Sequence, residues 1–279
     1  MKQRIRRAIP KSLKALLKRI YYTPVDLLEM LTIRDNMIPP RSMIFIGGGD
    51  FIKIGEGFRR YFIELGHLKP NERVLDVGCG IGRMAVPLTN YLSEEGQYWG
   101  FDIVKKGIDW CQQRIAPKFK NFHFLHSNVY NEYYNPNGTI RAQEYRFPFE
   151  NEFFDFVFLT SVFTHMLRPD VENYMAEISR VLRPGGRCLI TFFILNQESF
   201  NLIRAGKSRF DFRYDLAGCF SNEIDTPEAA IAYEEEVVKG LLHKNGLVIT
   251  PSIYYGSWSG RETFLTFQDL IVAEKDASP

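Results

Sequence analysis

Asp76 and three glycines at alternate positions, Gly78, Gly80 and Gly82, stand in the stretch VLDVGCGIGRMAVPL at residues 74–88. An apolar run precedes them and a second one follows. A strand, a glycine-rich turn and a helix in that order build a nucleotide site at the carboxyl end of a parallel sheet. Glycine lets a ligand approach the main chain and adopts torsions closed to other residues. The spacing excludes a dinucleotide fingerprint, which needs G-x-G-x-x-G; counted from Gly78, the third glycine position holds Arg83. A second acid, Asp102, ends the apolar stretch YWGFD, 26 residues after Asp76. A carboxylate there can accept both hydroxyls of a ribose, or it can cap the next helix. A third group, His165, follows the apolar run FFDFVFL in the segment TSVFTHM. It can carry a proton near neutral pH, or it can order its loop by bonding a backbone group.

Elements that could hold these groups alternate along the chain. Strands are expected at 74–77, Tyr98–Asp102, Phe122–Leu125, Phe153–Leu159, Arg187–Phe193, Gly246–Tyr254 and Thr263–Ala273. Helices are expected at Val25–Ile33, Ile54–Leu65, Ile81–Tyr91, Lys105–Ile115, Asp170–Leu182 and Glu228–Lys244. Such alternation makes a doubly wound α/β sheet. The nearly all-apolar Phe153–Leu159 suits a strand buried on both faces. Residues 130–147 and 195–227 are rich in Tyr and Phe and read as loops; loops at the carboxyl end of a sheet carry specificity, so both are candidate walls of an acceptor pocket. Gly47–Gly49 with Phe51 read as a flexible turn or as part of a lid.

The motif D-x-G-x-G-x-G, the acid at Asp102, the "FD" of Phe154-Asp155 and the run EISRVLRPGGR at 177–187 together resemble class I S-adenosylmethionine (SAM) dependent methyltransferases of small-molecule type. The resemblance covers residues 74–193 at these places and says little about 1–45, 130–147 or 195–227. It implies a Rossmann-like sheet of seven strands, doubly wound, with the last strand antiparallel. It also implies SAM as cofactor, with Asp76, Gly78, Gly80 and Gly82 around its methionine and ribose and Asp102 on the ribose hydroxyls. Ile103 would lie against the adenine face. Asn128 and Val129 would stand where related enzymes bond the adenine amino group, and Thr160 would stand beside the donor at the end of the fourth strand. In several O-methyltransferases of this superfamily a histidine removes the acceptor's proton, the role implied for His165.

Composition bounds the partners. Of 279 residues 45% are hydrophobic and 24% charged, as in a globular protein. Cys79, Cys111, Cys188 and Cys219 form no C-x-x-C pair, which argues against zinc and against a disulfide framework and suits a reducing, cytoplasmic setting. No metal constellation stands out. Residues 1–20 carry eight Lys or Arg and no acid, so the remainder bears a charge of −6 in a chain of +2. A mildly acidic body argues against nucleic acid. The basic segment has Leu13, Leu16, Leu17 and Ile20 at helical spacing; it is too short to span a bilayer and suits a peripheral membrane contact or docking on its own domain. The expected plan is an amphipathic extension at 1–45, a methyltransferase domain at 46–273 and a disordered tail at 274–279. Three functions stay open: methyl transfer to a small molecule, at oxygen by preference; transfer to a membrane lipid or lipid-linked sugar, anchored by residues 1–20; and a SAM-binding module without catalysis. The acceptor and the oligomeric state are not written in the sequence.

Overall fold

A computed structural model describes residues 20–26, 36–45, 47–132 and 134–277. The basic segment 1–19 and most of the helix expected at Val25–Ile33 lie outside them. Residues 20–26 are helical, so a helix is already formed ahead of the expected start at Val25.

The chain then alternates as expected, with shifted boundaries. Helix α1 (Phe51–Glu64) starts at the N-cap Asp50, whose carboxylate accepts the Lys53 N–H at 2.9 Å. Strand β1 (Arg73–Val77) leads into the glycine turn, and α2 is the single turn Ala85–Leu88. The long helix expected at Ile81–Tyr91 is thus reduced to its middle. There follow β2 (Gln97–Asp102), α3 (Lys105–Arg114), β3 (Phe122–His126), β4 (Phe154–Leu159), α4 (Arg168–Val181) and β5 (Leu182–Phe192). The chain closes with α6 (Glu235–Lys244), β10 (Leu247–Ile249) and β11 (Asp269–Lys275). β11 reaches Lys275, two residues into the stretch expected as tail.

The main sheet has seven strands in the order β10-β11-β5-β4-β1-β2-β3. β11 runs antiparallel to both neighbours, and β1 lies centrally between β2 and β4. Side chains alternate between two apolar cores. Leu75, Val77, Val157 and Leu159 face one, with α4 and α6; Val74, Phe156 and Phe158 face the other, with α1, α2 and α3. The amino ends of β1, β4 and β5 are tied by Arg187, whose guanidinium donates twice to the Glu72 carboxylate (2.7 and 3.0 Å) and to the carbonyls of Gly66, His67 and Asp155.

Residues 195–227 are not the single loop expected. After β6 (Ile194–Leu195) comes α5 (Gln197–Arg204), capped reciprocally by Asn196 and Ser199. Two short strands, β7 (Tyr214–Asp215) and β8 (Phe220–Ser221), and then β9 (Ile231–Glu234) complete a second sheet in the order β6-β9-β8-β7. The helix expected at Glu228–Lys244 therefore begins only at Glu235. Ile231, Ala232 and Tyr233 are buried in succession as a paired strand, with Tyr233 O–H donating to the Met166 carbonyl. A third core of Phe193, Leu195, Phe212, Ala232 and Trp258 lies beneath this sheet. Asp269 joins the two sheets. Its fully buried carboxylate accepts the N–H groups of Ile194 and Gly256 at 2.6 Å and the indole N–H of Trp258 at 2.7 Å. Desolvation raises its pKa to about 6 even so.

Candidate active site

The glycine turn leaves β1 with positive φ at Gly78 (82°), Gly80 (60°) and Gly82 (83°), a region where a side chain is strained. Gly78 and Cys79 N–H groups both donate to the Phe101 carbonyl, so the turn is sewn to the end of β2. The three glycines serve different neighbours. A Cβ on Gly78 would fall 2.5 Å from Val162, in the segment after β4. A Cβ on Gly82 would fall 2.8 Å from Ile115 and 3.0 Å from Cys111, so Gly82 lets α3 pack; it does not line the cavity.

That cavity opens at the carboxyl ends of β1, β2 and β4 and has a volume of about 1290 Å³. Ligand pockets run to roughly 300–1,000 Å³, so there is room for a nucleoside and an acceptor together. Asp76, Gly78, Gly80, Asp102, Ile103, Val129, Thr160 and His165 line it. Asn128 does not: it is exposed, and its amide donates to Thr139 Oγ1 at 2.8 Å. The alternation after β3 turns Asn128 outward and Val129 inward, so the adenine contact expected of Asn128 does not follow from its position.

Two acids sit at the heart of the cavity in different states. Asp76 Oδ2 accepts the Tyr98 hydroxyl at 2.6 Å, while Oδ1 is buried with no hydrogen-bond partner among the described residues. Burial raises its pKa to about 8; the Tyr98 bond lowers it and the nearby Asp102 raises it further. Asp102 accepts the Gly80 N–H on Oδ2 (2.8 Å) and the Val104 N–H on Oδ1 (2.7 Å). It therefore does what both readings of a strand-end acid require. It braces the turn and the start of α3, and each oxygen keeps a further acceptor site for a ligand. Burial pushes Asp102 to about 6, against the lowering by those two bonds.

β4 delivers Thr160, Ser161 and the short helical turn Phe163–His165 to the opposite wall. Ser161 holds φ at 61° without being glycine, a strained backbone of the kind that collects at functional sites; its hydroxyl donates to Gln268 at 2.9 Å. His165 Nδ1 lies 2.8 Å from the Glu228 carbonyl. A carbonyl only accepts, so Nδ1 carries the proton and Nε2 is the basic nitrogen. Nε2 makes no hydrogen bond among the described residues. Burial lowers the pKa of His165 below its ordinary 6.5, with the Glu228 carbonyl opposing.

Several lining residues were not singled out from sequence. Glu228 lines the cavity from a turn that pattern assigned to a helix; burial, then Asp170 and Glu132, raise its carboxyl to about 7. Arg83 reaches Gly47 O at 3.2 Å and lies 5.8 Å from the Phe51 ring centroid, which puts Gly47–Gly49 on the cavity wall and Phe51 behind it. Of the tyrosines in 130–147, Tyr130 and Tyr134 line the cavity, while Tyr145 is in the core and bonds Ser127. Of the aromatics in 195–227, Phe210 lines it.

Comparison with known proteins adds a decisive observation: the family model described as "Methyltransferase domain" matches residues 75–190, from β1 to β5. Residues 75–190 are thus similar to a methyltransferase domain. Methyltransferases of this kind use SAM, and the cavity has the volume for such a ligand. Asp76 and Asp102 both line it, and Asp102 stands at the end of β2. Two relatives match the methyltransferase domain in sequence. A phthiotriol/phenolphthiotriol dimycocerosates methyltransferase of Mycobacterium ulcerans is 31% identical over 170 residues, 61% of this chain and 50% of that protein. A demethylmenaquinone methyltransferase of Bacillus cereus is 29% identical over 139 residues, 49% of this chain and 52% of that protein. The chain thus spans about half the length of these relatives. Among solved structures, a Pyrococcus horikoshii protein superposes with a TM-score of 0.56 at 15% identity, covering 84% of this chain and 95% of that one. A putative sarcosine dimethylglycine methyltransferase from Galdieria sulphuraria gives 0.51 at 15% identity, covering 81% and 86%. At such identities the likeness is one of fold.

Proposed function

We propose that the protein transfers a methyl group from SAM to a small organic acceptor, at oxygen by preference. The observation that carries this reading is the meeting of the bare Asp76 oxygen, Asp102 and the unengaged Nε2 of His165 around one cavity. When bound, SAM supplies a methyl group on a positively charged sulfur. The chain does the rest. Asp102 would accept the ribose hydroxyls while bracing the turn, and the Asp76 carboxylate would supply negative charge near the cationic end of the ligand. Ile103 and Val129 would offer apolar surface to the adenine, and Thr160 would border the donor from the end of β4. His165 Nε2 takes the acceptor's O–H proton as the new C–O bond forms and the C–S bond breaks; the Glu228 carbonyl fixes the ring so that only Nε2 can do so. Holding acceptor and donor in line supplies much of the acceleration in such displacements.

The test has two arms. Calorimetry of SAM binding with Asp102→Ala should show affinity lower by about tenfold or more, the loss of a charge-assisted pair of bonds; unchanged affinity removes Asp102 from the site. Turnover of labelled SAM against a panel of hydroxylated acceptors should give labelled product; SAM binding without transfer to any of them would favour the binding-module reading.

A second reading differs in the acceptor: a lipid or quinone with a long apolar part. It is supported by the relatives, which are lipid and quinone methyltransferases, and by the aromatic side chains of Phe58, Tyr61, Phe193, Phe210 and Phe267 that line the cavity. Among the described residues no helix is long and apolar enough to cross a membrane, so such an acceptor would be reached from the surface.

A further inference from the structure

The loop at 262–268, between the Ser257–Ser259 turn and β11, exposes Phe264 (51%), Leu265 (43%) and Phe267 (40%) within four residues. Other exposed apolar side chains, such as Ile224 and Val248, stand singly. The loop is held from behind. Ser257 and Trp258 N–H groups donate to the carbonyls of Thr266 and Phe267, and Tyr61 O–H donates to the Leu265 carbonyl at 2.8 Å. A firm backbone thus presents its apolar side chains to solvent, at the cost of exposed hydrophobic surface that marks an interaction site.

This loop is the rim of the cavity. Leu265 and Phe267 line it, and so do Lys53, Arg60 and Arg209. All three cations are exposed, and none is in an ion pair among the described residues. Arg209 lies over the Phe267 ring, 5.4 Å from its centroid. The neighbouring acid Glu56 is taken by Arg59 at 2.8 Å; Glu262 lies at the start of the loop. Beyond residue 20 the chain is net negative, so three unpaired cations around one opening are not a sample of the general surface.

We propose that this rim docks on an anionic lipid bilayer, with Phe264 and Leu265 entering the interface and Lys53, Arg60 and Arg209 meeting lipid phosphates. Apolar side chains ringed by cations have the chemistry of a surface that binds such a membrane. Docked in this way, the cavity opens directly onto the acyl region. The proposal rests on the second reading above, that of an apolar acceptor, and is independent of residues 1–20.

Co-pelleting of the full chain with vesicles of phosphatidylcholine, with and without phosphatidylglycerol, tests it. The parent should partition to the anionic vesicles. Phe264→Ser/Leu265→Ser should weaken that partition by about tenfold or more, as expected for two apolar side chains kept in water. Lys53→Ala/Arg60→Ala/Arg209→Ala should abolish the difference between the two vesicle types. Phe264→Ser alone, at a side chain outside the cavity, guards against misfolding and should give a partial loss. Equal partition of parent and loop variants overturns the proposal, whether residues 1–20 carry all the binding, neither protein binds, or the rim serves a soluble anionic acceptor or a protein. SAM calorimetry on the same samples separates the two readings. A parent that gives no heat with SAM defeats the methyltransferase reading, while the vesicle comparison still decides the docking.

Discussion

His165 is placed to be neutral when it is needed. Burial holds its pKa below 6.5, so the imidazole is a base throughout the neutral range and loses that role only as pH falls through the lowered value. The limb due to His165 should lie at lower pH than for an ordinary histidine, and His165→Ala should cost about 10²–10⁴-fold for an oxygen acceptor. Glu228 titrates at about 7 beside it and could contribute to the same limb. Glu228→Gln separates the two, since the acid limb of His165 must survive in that variant; a pH profile unaltered in His165→Ala removes it from catalysis. Asp76 gives a second expectation. Its folded-state value of about 8 lies above the ordinary 3.8, so without ligand its contribution to stability is full below pH 3.8 and fades as pH rises through 8. A cation placed against the bare Oδ1 favours the carboxylate. SAM binding near neutral pH should therefore expel a proton, and the heat of binding should differ between buffers of different ionisation enthalpy. Equal heats would separate Asp76 from the ligand's charge. Asp76, Asp102 and His165 stood out in the sequence because each is a polar group in or just after an apolar run, and all three line the one cavity. Asn128 misled because an adjacent pair after a strand divides between inside and outside, and Val129 took the inside. Glu228 had no signal at all, since its neighbours Glu234–Glu236 made a helix pattern that ran through it.

At the level of elements, the ends of the sheet have separate duties. The carboxyl edge carries the cavity, and the amino edge carries Arg187 with its five hydrogen bonds. Glu72, half of that pair, is 5% exposed. Removing one partner of a buried ion pair leaves the other uncompensated, so Arg187→Ala should cost about 3–5 kcal/mol in urea unfolding. SAM affinity measured well below the new midpoint should not change, because the network lies at the far end of β1 from the glycine turn. A large loss of affinity in the folded variant would deny that the two edges are independent. Long elements with period-2 or helical patterning were readable in type and order, with ends displaced by as much as seven residues, as at Glu235. The short ones were not: β6, β7 and β8 hold two residues each, too few for any periodicity, and only their pairing with β9 defines them. Asp269 is a charged residue in a core strand. Its three donors explain it, and they belong to residues 13, 11 and 75 positions away.

Across the molecule, the strand order follows from one inversion. β11 enters between β5 and β10 against the direction of both, and the residues just before it, Leu265–Gln268, form part of the cavity wall. As the ribosome makes the chain, the cofactor-facing half, from Gly47 to His165, emerges long before this segment. Until β11 arrives, β5 keeps an unpaired edge and the acceptor side stands open to water. The wall of the cavity is thus synthesised in two stages, the glycine-turn side first and Leu265–Gln268 last, and the slot beside β5 is the place where a folding helper or a stray strand would act.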